Sequence, residues 1–143
     1  MSMDSIVTLR EIYGPAKVRS VKKQIDHLDR HCIRFISLSP FVVVASASAS
    51  GAPDASPRGG VPGFVHVVDT HTLLIPDSPG NNRLDSLSNL VESPQIGLLF
   101  MIPGMDETLR VNGTVLLRSD EGAIVPFAGD ARIRLAIEVT VTE

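Results

Sequence analysis

DASPRGG, at residues 54–60, opens the stretch that decides how this chain folds, and PGNNR at residues 79–83 and LRVNG at residues 109–113 follow it. A hairpin pattern lies between the first two segments, and a helix pattern and an apolar strand pattern lie between the second and the third. The segments themselves are rich in Gly, Pro and Asn, which favour turns. The stretch therefore predicts strands and one helix joined by turns, with arginines at or near those turns.

Helical spacing dominates before this stretch. Apolar residues recur at steps of three and four in residues 5–13 and again in residues 16–37, and Gly14-Pro15 separates the two segments. We predict a helix in each, with a break in the second near residues 20–24. A third helix is predicted at residues 83–91, with an apolar face formed by Leu84, Leu87, Leu90 and Val91.

Strand patterns follow Pro40. FVVVA at residues 41–45 is rich in β-branched residues and predicts a buried strand. Pro57 lacks an amide hydrogen, so a strand at residues 54–58 is expected at an edge, a bulge or a ligand-facing rim. Other strands are predicted at residues 63–68, 72–75, 95–102, 107–117 and 132–142, with a turn at 119–122. Antiparallel strands in this number tend to close, so the prediction is an α+β chain with a small β-barrel.

Size and composition exclude several classes of protein. The 143 residues predict one domain over residues 1–143, with a helical segment at 1–39 and the barrel at 40–143. A net charge of −3 gives no reason to expect nucleic acid, and the apolar runs are too short to span a membrane. Cys32 is the single cysteine and no signal peptide is evident, so a cytoplasmic protein is expected. No third ligand follows His27 and His31 at metal-site spacing, so no metal site is predicted.

Two arginines and their neighbours have the chemistry to hold a phosphate. Asn81 or Asn82 can cap the third helix, and Arg83 would then lie beside the unpaired N–H groups of its first turn. Arg58 precedes two glycines that allow close approach of a ligand, and the Ser56 hydroxyl is two residues away. Taken one at a time, these residues are better explained as an ordinary helix cap with a solvated arginine and as a surface turn.

Arg110 and Cys32 have simpler interpretations. Arg110 and Asn112 share one face of a predicted strand because side chains alternate along it. We expect Arg110 to be buried and paired with a carboxylate such as Asp85 or Glu107. Cys32 lies on an apolar helix face and is expected to be an inert thiol of the core.

The motifs taken together resemble the pyridoxamine 5′-phosphate oxidase-like, FMN-binding split-barrel family. The resemblance covers roughly residues 41–117 and extends more weakly into the N-terminal helices. Each motif is moderately specific alone, and their fixed order is more so. In order they are DASPRG (54–59), LLIPD (73–77), GNNRLDSL (80–87), PQIGLLF (94–100), IPG (102–104) and LRVNG (109–113).

The resemblance implies a homodimeric split β-barrel that binds one FMN in each of two clefts at the dimer interface. The positions that match the family's cofactor-binding residues are Ser56, Arg58, Leu74, Ile75, Pro76, Asp77, Asn81, Asn82 and Arg83. The first two match the strand that touches the flavin and its phosphate. The next four match a strand end whose backbone borders the isoalloxazine ring, and the last three match the segment that binds the phosphate at a helix start.

The resemblance implies an FMN-dependent oxidoreductase of unknown substrate. The oxidase proper has an Arg-x-His pair and a Trp near its C-terminus, and this chain has neither, so we do not expect it to oxidise pyridoxamine phosphate. The chain also ends at Glu143, short of many relatives, which favours the alternative of a non-catalytic, dimeric flavin- or nucleotide-binding protein. Some relatives hold a deazaflavin or haem in the same cleft, and an absorption spectrum would distinguish these cofactors from FMN.

Overall fold

Seven strands and four α-helices form the regular structure of the residues that the computed structural model describes, which are 5–17, 24–78 and 85–143. In chain order they are α1 (Ile6–Tyr13), α2 (Arg30–Leu38), β1 (Phe41–Ala47), β2 (Pro53–Gly59), β3 (His66–Asp69), β4 (Thr72–Pro76), α3 (Asp85–Glu92), β5 (Gln95–Met101), β6 (Thr108–Arg118), α4 (Glu121–Ile124) and β7 (Ala136–Val141). None of the helices in this part of the chain is both long and apolar enough to cross a lipid bilayer.

Helix α1 confirms the first helical prediction. The Ser5 side chain accepts a hydrogen bond from the Val7 N–H and caps its start. Gly14 has a φ of 74°, a left-handed conformation that favours glycine and ends the helix. No residue of α1 is buried, although four of its eight residues are Ile, Val or Leu.

The second helical prediction is wrong in part, within the residues that the structure describes. Helix α2 begins at Arg30, where the Asp29 carboxylate caps it by accepting from the Cys32 N–H at 2.8 Å. Residues 24–29 are not helical, and the Leu28 N–H donates instead to the Thr70 carbonyl. Leu28 is buried in this non-helical segment. Its apolar side chain is therefore explained by packing in the core and not by a helix. Residues 18–23, where most of the expected break falls, lie outside the described residues.

The strands form one antiparallel sheet in the order β2-β1-β5-β6-β7-β4-β3. Strand β2 pairs only with β1, so Pro57 does lie on an edge strand. Strand β7 is shorter than predicted and begins at Ala136. The turn expected at residues 119–122 is wrong in part, because the short helix α4 begins at Glu121.

The main core lies on one face of this sheet, which we call the inner face, and a smaller cluster of Leu74, Ala123 and Ala136 lies on the other. Residues from β1, β4, β5 and β7 alternate toward it and pack with α2. The inward side chains that are fully buried include Val42, Val44, Leu73, Ile75, Phe100, Ile137 and Val139. Cys32 belongs to the same cluster, as the sequence predicted, and burial raises the pKa of its thiol.

Candidate functional site

Strand β2 turns polar side chains toward the inner face. Its register with β1 pairs Asp54, Ser56 and Arg58 with inward, buried residues, which are Ser46, Val44 and Val42 respectively. All three β2 side chains are half-buried, and the four residues that alternate with them are exposed. Because one residue in two points inward along a strand, this polar row is continuous along the face.

Arg58 and Asp77 join two distant parts of the sheet. The Arg58 Nη1 donates to Asp77 Oδ1 at 2.5 Å, and its Nε makes a long hydrogen bond of 3.4 Å to the Ser56 hydroxyl. The two charged side chains are only 18% and 22% exposed. Since β2 is the edge strand and Asp77 follows β4, which is near the opposite edge, the sheet must curl to bring them together.

The guanidinium of Arg58 is held in place and still has donors to offer. Arg has five N–H donors in a planar fork, and the contacts seen in the described residues use Nε and Nη1. The Nη2 group makes no hydrogen bond within this part of the chain. An oriented, half-buried guanidinium of this kind fits a phosphate oxygen well.

Within the described residues, the backbone at the end of β4 has one edge without a strand partner. The ladder with β3 reaches Leu74 and stops, whereas the ladder with β7 continues to Pro76. The Ile75 side chain is fully buried in the core, so it can reach a ligand only through its backbone. Pro76 is half-buried, and the Asp77 N–H donates a hydrogen bond to the Leu135 carbonyl. The arrangement fits a flat ring that borders the strand end rather than one gripped by side chains.

The charges of this site do not by themselves favour an anion. The described residues of the site include two carboxylates, on Asp54 and Asp77, and the single guanidinium of Arg58. A phosphate therefore needs further positive charge. The sequence supplies a candidate in Arg83, but Asn81, Asn82 and Arg83 all lie outside the described residues.

Helix α3 contacts β1 and β2 through a row of polar residues that the sequence analysis missed. Ser86 Oγ donates to Asp54 Oδ2 at 2.8 Å, and Asn89 Nδ2 donates to Ser46 Oγ at 3.2 Å. Glu92 continues the row, since its carboxylate accepts from the Ala49 N–H at 3.3 Å. The spacing of three residues from Ser86 to Asn89 to Glu92, which places them on one helix face, was the available signal.

This row also corrects the predicted apolar face of the helix. Leu90 is buried and Leu87 is half-buried, as expected, but Val91 is 71% exposed and Ser86 is buried. Leu84 lies outside the described residues. The buried side of α3 is therefore centred between Ser86 and Leu90, because hydrogen bonds to the sheet compensate for the hydroxyl's burial.

The prediction for Arg110 is wrong. It shares a face with Asn112, as expected, but both side chains are exposed on the outer face of the sheet. Glu107, one of the two suggested partners, instead forms a hydrogen bond with His31, with 3.0 Å between Oε1 and Nε2. The pattern of alternation gave the right pair of residues but could not show which face of the sheet is covered.

A pocket of about 620 Å³ opens on this outer face. Its floor is the cross-strand row of Ala45, Gly97 and Asn112, which are direct neighbours in the register. A Cβ at Gly97 would be 3.3 Å from Asn112 Oδ1, so a small residue keeps this row open. The remaining lining residues are Ser46, Ala47, Ser93, Gln95, Ile96, Gly113, Thr114 and Thr142.

A family model described as pyridoxamine 5′-phosphate oxidase matches residues 28–140, from just before α2 into β7. The chain belongs to the pyridoxamine 5′-phosphate oxidase family. The match includes both elements that carry the Arg58–Asp77 pair, as well as α3. It leaves α1 outside the part that defines the family.

Solved structures show that this family member has the split-barrel fold, which confirms the predicted fold class. A HupZ variant from Group A Streptococcus has a TM-score of 0.67 and 16% identity, over 81% of this chain and 96% of the other. A putative pyridoxamine 5′-phosphate oxidase from Lactobacillus delbrueckii has a TM-score of 0.67 and 16% identity, over 84% and 94%. An FMN-binding protein from Syntrophomonas wolfei has a TM-score of 0.53 and 8% identity, over 96% and 93%. No curated protein matches the sequence.

Proposed function

We propose that this chain is an FMN-binding flavoprotein that works as a homodimer and acts as an FMN-dependent oxidoreductase. The observation that carries the proposal is the Arg58–Asp77 contact, because it brings together two segments that the sequence separately matched to the cofactor site. The proposed cofactor-binding residues are Ser56, Arg58, Ile75, Pro76, Asp77, Asn81, Asn82 and Arg83. Membership of the family supports flavin as the cofactor.

Arg58 would hold the phosphate of FMN. Asp77 and Ser56 fix its guanidinium, and its Nη2 donors remain available for phosphate oxygens. A hydrogen bond to a charged group contributes about 1.5–3 kcal/mol. Since two carboxylates lie nearby, we expect Arg83 to supply the second positive charge that the phosphate requires.

The strand end at Ile75 and Pro76 would border the flavin ring. Its backbone edge beyond Leu74 has no partner from β3, and the buried Ile75 side chain anchors the strand in the core. When bound, FMN supplies the hydride and electron transfer chemistry. The residues of the chain orient the ring and exclude water from one side of it.

The outer face of the sheet supports a homodimer. Val43, Leu99 and Met101 point outward from β1 and β5, and each keeps part of its surface exposed. A face of this kind, rimmed by polar residues such as Arg110 and Asn112, is typical of an interface between subunits. A second copy would bury it and could complete a cleft that one chain leaves open.

The absorption spectrum of the purified protein tests the cofactor. We expect a yellow protein with a flavin spectrum, whereas a Soret band would indicate haem and would contradict the proposal. Arg58→Ala combined with Arg83→Ala should release the flavin. Arg34→Ala is a matched control, because Arg34 is exposed on α2. Full FMN affinity in the double variant would show that the site is elsewhere.

Turnover separates the enzyme from a carrier. We expect NAD(P)H, or another donor, to reduce the bound flavin, and an added acceptor to reoxidise it over many cycles. Tight binding without reduction by any donor tested would instead favour a non-catalytic flavin-binding dimer. Size-exclusion chromatography with light scattering measures the oligomeric state, and a monomer at micromolar concentration would contradict the shared cleft.

A further inference from the structure

We infer that Asp54 is a positioning residue: through Ser86 it fixes α3 on the polar row of β2, and this arrangement makes the site prefer FMN to riboflavin. The inference rests on the proposed function, because it concerns the phosphate end of the same site. It adds a residue pair that neither the family resemblance nor the sequence analysis singled out. The pair touches no reacting atom.

The contact is built where the helix meets the strand. Ser86 lies in the first turn of α3 and is 5% exposed, and its Oγ donates to Asp54 Oδ2 at 2.8 Å. Asp54 begins the inward row that continues to Ser56 and Arg58. The helix start is thereby tied to the strand that would hold the phosphate.

A second contact fixes the rotation of the helix about its axis. Asn89, one turn beyond Ser86, donates to Ser46, and Ser46 is the direct cross-strand partner of Asp54. Two hydrogen bonds to one cross-strand pair define both the position and the orientation of α3, which a single contact would not do. Apolar packing at Leu90 contributes the remaining stability.

A carboxylate in this place has an evident cost for an anion site. Asp54 adds negative charge to the same strand row that holds Arg58, which would weaken phosphate binding if charge alone mattered. The polar contact explains its presence, because a half-buried acceptor for Ser86 keeps the hydroxyl satisfied and the helix in place. The negative charge of Asp54 should weaken phosphate binding, whereas its contact with Ser86 should strengthen it. The two effects can therefore be separated by substitution.

The experiment compares two variants that both lack the Asp54 charge. Asp54→Asn keeps an oxygen acceptor for Ser86, whereas the double variant Asp54→Ala with Ser86→Ala removes both partners and leaves no unpaired polar atom behind. Dissociation constants for FMN and riboflavin are measured by fluorescence titration of the full chain. Because riboflavin lacks the phosphate, the ratio of the two constants reports the phosphate site and is insensitive to a general loss of stability.

We expect the preference for FMN, measured as the riboflavin dissociation constant divided by the FMN dissociation constant, to be about tenfold smaller in the double variant than in Asp54→Asn. This is the loss that follows from one displaced charge-assisted hydrogen bond. Asp54→Asn should bind FMN at least as strongly as the wild type. Ser88→Ala is the matched control, since Ser88 is exposed on the same helix, and its ratio should be that of the wild type. Equal ratios in the two Asp54 variants would overturn the inference.

The wild type distinguishes this inference from the proposed function. If the wild type prefers FMN and the two variants do not differ, the positioning role fails and the flavin site stands. If the wild type binds neither compound, the proposed function fails and this inference fails with it. Thermal unfolding of each variant shows whether the compared proteins are folded at the temperature of the titration.

Discussion

Strands β2 and β7 follow the same geometric rule and use it for opposite purposes. Both alternate between an inner and an outer face, but β7 turns Ile137, Val139 and Val141 inward, and β2 turns only polar side chains inward. The inward residues of β7 are at most 5% exposed, whereas those of β2 remain half-buried. Hydrophobic burial explains β7 completely. It does not explain β2, where polar groups lose water without an apolar gain.

The difference indicates which strand serves stability and which serves binding. A polar row at the edge of a core costs free energy unless each group finds a partner, and Asp54, Ser56 and Arg58 each have one. Two of those partners, Ser86 and Asp77, come from other parts of the chain, and the third contact joins Ser56 and Arg58 within the row. A ligand that also needs these groups accounts for the arrangement.

The largest effect should come from the core of β7. Ile137→Ala removes a fully buried side chain and leaves a cavity, so we expect the free energy of unfolding to fall by about 2–5 kcal/mol. Urea denaturation measures it. The FMN affinity of the molecules that remain folded should equal that of the wild type. A loss below about 1 kcal/mol would mean that β7 is not the apolar core strand described above.

Substitution of the Arg58–Asp77 pair should reduce FMN affinity more than it reduces stability. Arg58→Ala combined with Asp77→Ala removes both charges, so that neither is left unpaired in the barrel. We expect FMN affinity to fall about 10- to 100-fold, because charge-assisted hydrogen bonds to the phosphate are lost. Fluorescence titration measures the affinity, and unfolding should be perturbed less than in Ile137→Ala. Unchanged affinity would assign the polar row a purely structural role.

Asp29 provides a polar residue whose role is structural, and its effect should be smaller. Asp29→Ala removes the cap of α2 and should cost about 1 kcal/mol of stability with no change in FMN affinity. The hydrogen bond from the Cys32 N–H lowers the pKa of Asp29 below its ordinary value of 3.8. The ionised cap therefore stabilises the fold fully above pH 3.8, and this contribution is lost as the pH falls through the lowered pKa.

Comparison with Asp29→Asn measures the direction in which the stability contributed by the Asp29 cap changes with pH. The asparagine can still cap the helix but does not titrate, so the stability difference between it and the wild type should shrink between pH 5 and pH 2. Thermal unfolding across that pH range provides the comparison. A difference that grows toward low pH would contradict the assignment of the lowered pKa to the folded state.

The smallest effect should come from the outer side of β7. Thr140 is exposed, so Thr140→Ala should change the free energy of unfolding by no more than about 0.5 kcal/mol. The same titration and denaturation measurements apply. A large loss of stability that depends on protein concentration would show that a second subunit covers this part of the outer face.

The sequence was sufficient for much of the fold. Alternation predicted which side chains of β7 point inward, and β-branching predicted β1, because both signals depend on a local period. Local signals failed where tertiary contacts decide the structure. Leu28 has helical spacing, but its N–H bonds to the Thr70 carbonyl, more than 40 residues away in the chain. The short helix α4 also gave no periodic signal, since four residues make about one turn.

The candidate site could be predicted only in part. Arg58 and Asp77 were both expected near the cofactor, but their direct contact depends on the curvature of the whole sheet, which no motif encodes. Asp54 was predicted as the first residue of an edge strand and not as the partner of Ser86, because the two are 32 residues apart. The placement of Asn81, Asn82 and Arg83 stays a prediction.

The position of β7 in the sheet has a consequence for the order of folding. Strands β3 and β4 form a local hairpin. In the sheet, β7 lies between this hairpin and β6, and β7 follows β4 by about 60 residues in the chain. Strand β5 likewise follows β1 by about 50 residues. Closing loops of this length is entropically slow, so we expect the local pairs β1-β2, β3-β4 and β5-β6 to form early and the β1-β5 and β4-β7 ladders to form late. Until then, unpaired strand edges are open to other chains, and nascent molecules should be most prone to aggregate during this interval.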